Sequence, residues 1–205
     1  MNTEKAELFT PAPEWSGRSD GPGPEHVRWH SVINQSTESP APVTLLGFAS
    51  DEGVLRNGGR QGAAAGPAAL RSALGSLAVH HEHALADAGT ITTQADDLDG
   101  AHDALSNKVQ ELVEAGTLPI ILGGGHETAF GSHRGLYRAE GATKIINLDA
   151  HFDLRRADHA TSGTPFKQIS ELTEDFDYTV LGISRPNNTA VLFDEAESLG
   201  VAITL

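Results

Sequence analysis

Apolar residues along the chain gather into short runs of strand length, separated by stretches with helical spacing. V-T-L-L-G-F (43–48), L-P-I-I-L (118–122), I-I-N-L (145–148), Y-T-V-L-G-I (178–183) and V-A-I-T-L (201–205) are such runs. The first four are bounded by turn or polar residues and suit buried strands, and the last starts another strand. Between the first two, Leu105, Val109, Leu112 and Val113 recur at helical spacing, with Gly116 as a natural C-terminal stop. Asp96, Asp97 and Asp99 precede that helix, where acids favour its dipole. Pro67 suits the first turn of an earlier helix, expected to carry Leu70, Leu74 and Leu77 inward. A third helix is expected to begin near Glu127, and A-V-L-F-D-E-A-E-S-L-G (190–200) reads as a fourth. Strand and helix alternate, which predicts an α/β fold of three αβα layers around a mainly parallel sheet.

The first 42 residues break this pattern. P-A-P-E-W-S-G-R-S-D-G-P-G-P-E predicts an extended arm, on which Trp15 and Trp29 are expected to act as pins; residues 43–205 form the α/β domain. Two further stretches read as loops: the glycine-rich 51–71, and about a dozen residues after Leu154. The first fits neither a P-loop nor a dinucleotide fingerprint. His80, His81 and His83 around Glu82 have no partner pattern and read as a solvated connection.

Composition narrows the class. Lys+Arg number 14 against 28 Asp+Glu, and a net charge of -14 argues against nucleic acid or an anionic membrane as partner. No cysteine is present, which excludes disulfides, thiolate metal sites and cysteine nucleophiles. No apolar run reaches membrane-span length, and the N-terminus shows no signal pattern, so a cytoplasmic protein is expected.

Candidate chemistry concentrates after the run at 145–148. Asp149, His151 and Asp153 stand two residues apart, and in extended backbone such residues share a face. Two carboxylates and an imidazole suit a divalent ion of the manganese or zinc type. Taken alone, the stretch reads equally well as solvated acids beside a surface histidine. A second observation shifts the balance. G-G-G-H-E (123–127) follows another strand run, so His126 also falls at a strand's carboxyl end, where α/β sheets bind ligands.

G-G-G-H-E, N-L-D-A-H-F-D (147–153) and N-G-G-R-x-G-A-x-x-G-P-x-x-L-R from Asn57 resemble the motifs of the ureohydrolase superfamily of arginase, agmatinase and formimidoylglutamase. W-S-G-R-S-D, D-A-H-F-D-L-R and S-G-T-P-F-K-Q-I resemble the formimidoylglutamase branch in particular. The resemblance implies an arginase-like fold and a two-manganese site. His126, Asp149 and Asp153 would hold one ion, His151 and Asp149 the other. Such a pair can share a water and lower its pKa. The implied reaction is hydrolysis of N-formimino-L-glutamate to L-glutamate and formamide, with Asp149, His151 and Glu127 as catalytic residues. The substrate's two carboxylates call for donors, for which Arg155 is the first candidate, because its guanidinium grips a carboxylate bidentately; a surface pairing with Asp158 is the alternative. Asn57, Ser162, Gly163 and Thr164 are further candidates. Family members are as a rule homo-oligomers.

Two departures from the family pattern stand out. Ser162 occupies the place of a family histidine proposed to shuttle protons, so either the shuttle is dispensable or a nearby group such as His159 or Glu127 substitutes. The family's S-x-D-x-D motif, which supplies two more metal carboxylates, does not occur in these 205 residues. The chain therefore resembles the N-terminal two-thirds of such an enzyme, with C-terminal strands missing and its last strand an open edge. An agmatinase-type hydrolase and a non-catalytic remnant that binds metal weakly are the alternatives.

Overall fold

The computed structural model describes residues 8–35, 41–80 and 84–205. The strands are β1 (Phe9–Thr10), β2 (Val43–Ala49), β3 (Leu85–Thr92), β4 (Leu118–Leu122), β5 (Ile145–Leu148), β6 (Tyr178–Leu181) and β7 (Ala202–Thr204). The helices are α1 (Glu52–Arg56), α2 (Gly66–Gly75), α3 (Leu98–Glu114), α4 (Thr128–Glu140), α5 (Pro165–Ser170) and α6 (Ala190–Ser198). Pro40 and three members of the histidine cluster (His81, Glu82, His83) lie outside the described residues, while His80 is exposed.

Strands form two sheets, ordered β1-β3-β2-β4 and β5-β6-β7, parallel throughout except for the antiparallel edge pair of β1 with β3. β2 is buried on both faces, as a central parallel strand should be. Leu46 and Phe48 pack with Leu98, Leu105 and Val109 of α3, whereas Leu45 joins Trp15, Ile33 and Leu122 on the opposite face. A third cluster joins Phe152, Phe166, Ile169, Tyr178 and Val180 under α5 and α6, with Phe130 of α4 reaching it. α3 and α4 lie side by side, and Ser106 Oγ donates to Gly131 O at 2.9 Å.

The expected arm contributes to the core: Trp15 is buried, and its indole N–H donates to Asp87 at 2.8 Å. Four expectations need correction. First, Leu70 and Leu77 are 44% and 50% exposed, because the buried face of α2 is Pro67, Arg71 and Gly75, with Leu74 beside it. Second, the glycine-rich loop contains α1 and a 3-10 turn at Ala63–Ala65, pinned by Asp51 accepting from the N–H groups of Gly62 and Ala64. Third, the long loop after Leu154 is cut short by α5, which Pro165 opens and whose Phe166 and Ile169 are buried. Fourth, β4 and β5 are not buried on both faces. Leu118, Ile120, Ile146 and Leu148 are exposed, and among the described residues each of these strands has a hydrogen-bonded neighbour on one edge. No described helix is long and apolar enough to cross a membrane.

Candidate metal centre

His126 is held at the carboxyl end of β4 by a tight strand-to-helix turn. Gly124 lies against the backbone of Phe48 and Ser50, where any Cβ would overlap, and Gly125 N–H donates to Ser50 O at 3.1 Å. Thr128 Oγ1 closes the turn on Gly125 O at 2.6 Å. The imidazole is thereby aimed across the sheet ends at the segment that follows β5.

That segment is not extended, contrary to the spacing argument. β5 ends at Leu148, and the chain turns so tightly that Asp153 adopts φ +48°. Positive φ is uncommon for a residue other than glycine and must be held by its surroundings. Convergence of the ligand groups therefore comes from the turn rather than from strand alternation. His126 Nδ1 lies 2.6 Å from Asp153 Oδ2 and 3.2 Å from Asp149 Oδ2. Among the described residues these three form the one group whose ligand atoms all fall within 4.8 Å of one another.

His151 stands beside the trio rather than in it. Its Nδ1 is 3.3 Å from Asp149 Oδ1. Asp149 thus turns one oxygen to each of two imidazoles.

The electrostatics ask for a cation. The hydrogen bond to Asp153, and then the charges of Asp153, Asp149 and Glu127, raise the pKa of His126 against the opposing effect of burial. A proton on the imidazole offsets two facing carboxylates, and a divalent ion would do so more fully. The oxygen- and nitrogen-only donor set suits manganese.

A cleft of about 370 Å3 opens over the trio and His151. Its other wall carries Asn57, Arg155, Ser162 and Gly163. Arg155 donates to Asn57 Oδ1 at 2.9 Å, instead of pairing with Asp158, and Asn57 Nδ2 donates to Ser162 Oγ at 3.1 Å. Three expected residues fall elsewhere. Thr164 is buried, its hydroxyl engaged by Thr161 O and Gln168 Oε1. His159 lines a neighbouring cavity with Asp99 and Lys167. Glu127 is fully buried, and Oε1 accepts from Gly53 N–H at 3.0 Å, so it meets the cleft only through other residues. Burial pushes its carboxyl above the usual range. Neither His159 nor Glu127 is therefore placed to pass protons at the cluster.

Sequence reading missed Asn187, Asn188 and Leu192, which line the same cleft. S-R-P-N-N-T read as a turn, although a polar pair at a strand's carboxyl end was a usable signal.

The sequence of residues 41–204 matches the profile of the arginase family. The chain belongs to the arginase family. Other members share much of its sequence. It is 53% identical over 195 residues to a formimidoylglutamase of Corynebacterium efficiens, covering 93% of this chain and 62% of that protein. It is 45% identical to one of Rhodococcus opacus, covering 97% and 65%. Among solved structures, a Trypanosoma cruzi formiminoglutamase with Mn2+ aligns with a TM-score of 0.77 and 30% identity, over 87% of this chain and 64% of that one. The chain therefore spans somewhat less than two-thirds of the length of these arginase-family relatives.

Proposed function

We propose that this chain carries the metal-holding and substrate-facing parts of a manganese-dependent hydrolase that converts N-formimino-L-glutamate and water to L-glutamate and formamide, a step of histidine degradation. The observation that carries the reading is Asp149, whose two oxygens face His126 and His151 in a cleft that the Arg155 guanidinium also lines. The names of the similar proteins agree with it. His126, Asp149 and Asp153 would hold manganese, and His151 beside Asp149 would complete the holding set. Manganese bound there supplies a water of lowered pKa at neutral pH.

The remaining work falls to the protein. Arg155 is held by Asn57 so that part of its guanidinium stays open toward the cleft, where it grips a substrate carboxylate. Ser162 offers a hydroxyl that already accepts from Asn57. The formimino carbon is thus presented to the cluster while the amino-acid end is fixed at the opposite wall, which converts binding into orientation.

Parallel assays of formiminoglutamate, agmatine and arginine with the manganese-loaded chain test this. Formiminoglutamate is expected to be the best substrate, and a preference for either cation would overturn the assignment. A second reading, weak metal binding without turnover, is favoured by the close cluster holding only three groups. Two equivalents of bound manganese with measurable turnover would exclude it.

A further inference from the structure

The turn that carries Asp149, His151 and Asp153 lies outside the sheet ladder, so its backbone groups need other partners. Asp149 N–H still reaches Leu181 O at 3.1 Å, and His151 N–H folds back on Asp149 Oδ1 at 2.8 Å. Phe152 O accepts from the Tyr178 hydroxyl at 3.2 Å, and Asp153 O from Phe166 N–H at 3.2 Å. The two peptides that flank His151 are both held by one side chain. Asn188 Oδ1 accepts from Phe152 N–H at 3.2 Å, while Nδ2 donates to Ala150 O at 2.8 Å. The same Nδ2 donates to Ser184 O at 2.9 Å, and Ser184 N–H adds a second bond to Ala150 O.

We infer that Asn188 is a positioning residue, the clamp that fixes the turn 149–153 and with it the directions of the ligand side chains. Residues 150 and 152 alternate with 149, 151 and 153, so holding the first two peptides sets where the other three side chains point. The task demands an amide. Aspartate offers no donor for Ala150 O, an aliphatic residue offers neither donor nor acceptor, and glutamine is one methylene too long for a site only 7% exposed. The clamp must also hold the left-handed Asp153, which relaxes unless its surroundings over-determine it. Asn188 touches the cleft wall, but the hydrogens of its amide are spent on carbonyls. Its contribution is therefore to geometry rather than to substrate. Groups that orient ligands in this way commonly change metal affinity by about ten- to a hundredfold.

The inference rests on the metal reading above, and the test separates the two. Manganese affinity by calorimetry and amide hydrogen exchange of the metal-free chain are measured for Asn188→Ala, Asn188→Asp and Ile183→Val. Ile183 is buried in the same segment and makes no side-chain bond to the turn, so its variant controls for general loosening. Asn188→Ala is expected to weaken manganese binding about ten- to a hundredfold and to speed exchange of the Phe152 amide at least about tenfold. Asn188→Asp should keep the Phe152 amide protected yet lose metal affinity, and it carries the test if the alanine variant does not fold. Ile183→Val should do neither. Wild-type affinity and a protected Phe152 amide in Asn188→Ala would overturn the inference, as would an equal loss in Ile183→Val. If the unaltered chain binds no manganese, the functional reading fails, and Phe152 exchange alone decides the clamp.

Discussion

At the scale of single residues, Arg155 and His102 make separable predictions. Arg155 reaches the cleft wall by one hydrogen bond to Asn57, leaving the rest of its planar fork for a ligand. Arg155→Lys keeps the charge and loses the fork, so KM for formiminoglutamate should rise about tenfold with kcat little changed. Steady-state kinetics decide it; an unchanged KM in an active protein would remove Arg155 from the binding site. His102 acts on stability instead. It is buried between Phe48 and Phe130, and neither ring nitrogen makes a hydrogen bond of normal geometry. Desolvation chiefly, aided by Arg134 and Arg56 and opposed by the Glu127 backbone and Asp99, lowers its pKa from 6.5 to about 4. Between those values the unfolded chain takes up a proton that the folded chain refuses. Its contribution is therefore fully present above pH 6.5 and is lost as the pH falls toward 4, by about 3 kcal/mol in all. His126, with a raised pKa, acts in the opposite sense, losing its stabilisation as the pH rises. The difference between wild type and His102→Leu isolates the His102 part. Urea denaturation across pH 4–7 should show a flatter acid limb in the variant; parallel curves would refute the assignment.

At the scale of elements, the chain is tied together by an ion pair rather than by hydrophobic surface alone. Arg71 of α2 meets Asp87 of β3 with Nε–Oδ2 at 2.7 Å and a second bond to Oδ1 at 2.8 Å. Trp15, Gly89 N–H and Thr90 complete the network, so the N-terminal arm, a helix and a strand share one buried carboxylate. Removing one partner of such a pair strands a charge, and Arg71→Met should cost about 3–5 kcal/mol. Adding Asp87→Leu should recover only part of that loss, because it removes the stranded charge but leaves the Trp15 indole and Gly89 N–H without their acceptor, which chemical denaturation of the single and double variants can measure. The same network explains what could be read in the sequence. β2, α3 and the alternation of strand with helix were legible because burial there is apolar and periodic. The inward face of α2 was not, because its central residue is an arginine that no hydrophobic pattern can flag. Likewise His126, Asp149 and Asp153 were legible as residue types at strand ends, whereas their route to convergence was hidden. That route depends on a left-handed aspartate and on Asn188, thirty-five residues further along. A turn read from composition alone gives no sign that its side chain holds another turn in place.

At the scale of the whole molecule, two forces on association oppose each other. Among the described residues both sheets leave edges unpaired: β4 and β5 each have one neighbour, and β7 is the outer strand of its sheet. Ile146 and Leu148 on β5 are 71% and 79% exposed, and a cavity of about 380 Å3 runs between β4, β5 and α4. Open edges flanked by apolar side chains are templates for pairing with another chain. The net charge of -14 resists that pairing by repulsion, most strongly where few counterions screen it. The 205-residue chain is therefore expected to be mainly monomeric at low salt, and to self-associate and bind a hydrophobic dye more strongly as salt is raised. Ile146→Lys with Leu148→Lys adds positive charge to the most exposed of these faces and lowers the total negative charge. If repulsion alone governed association, that variant would associate more readily than wild type. If the exposed β5 face governs it, the variant should associate less, because its apolar surface is gone and an edge lysine blocks strand pairing. Sedimentation velocity of both proteins at low and high salt separates the two, and a wild-type chain that stays monomeric without dye binding at high salt would show that these edges are closed in solution.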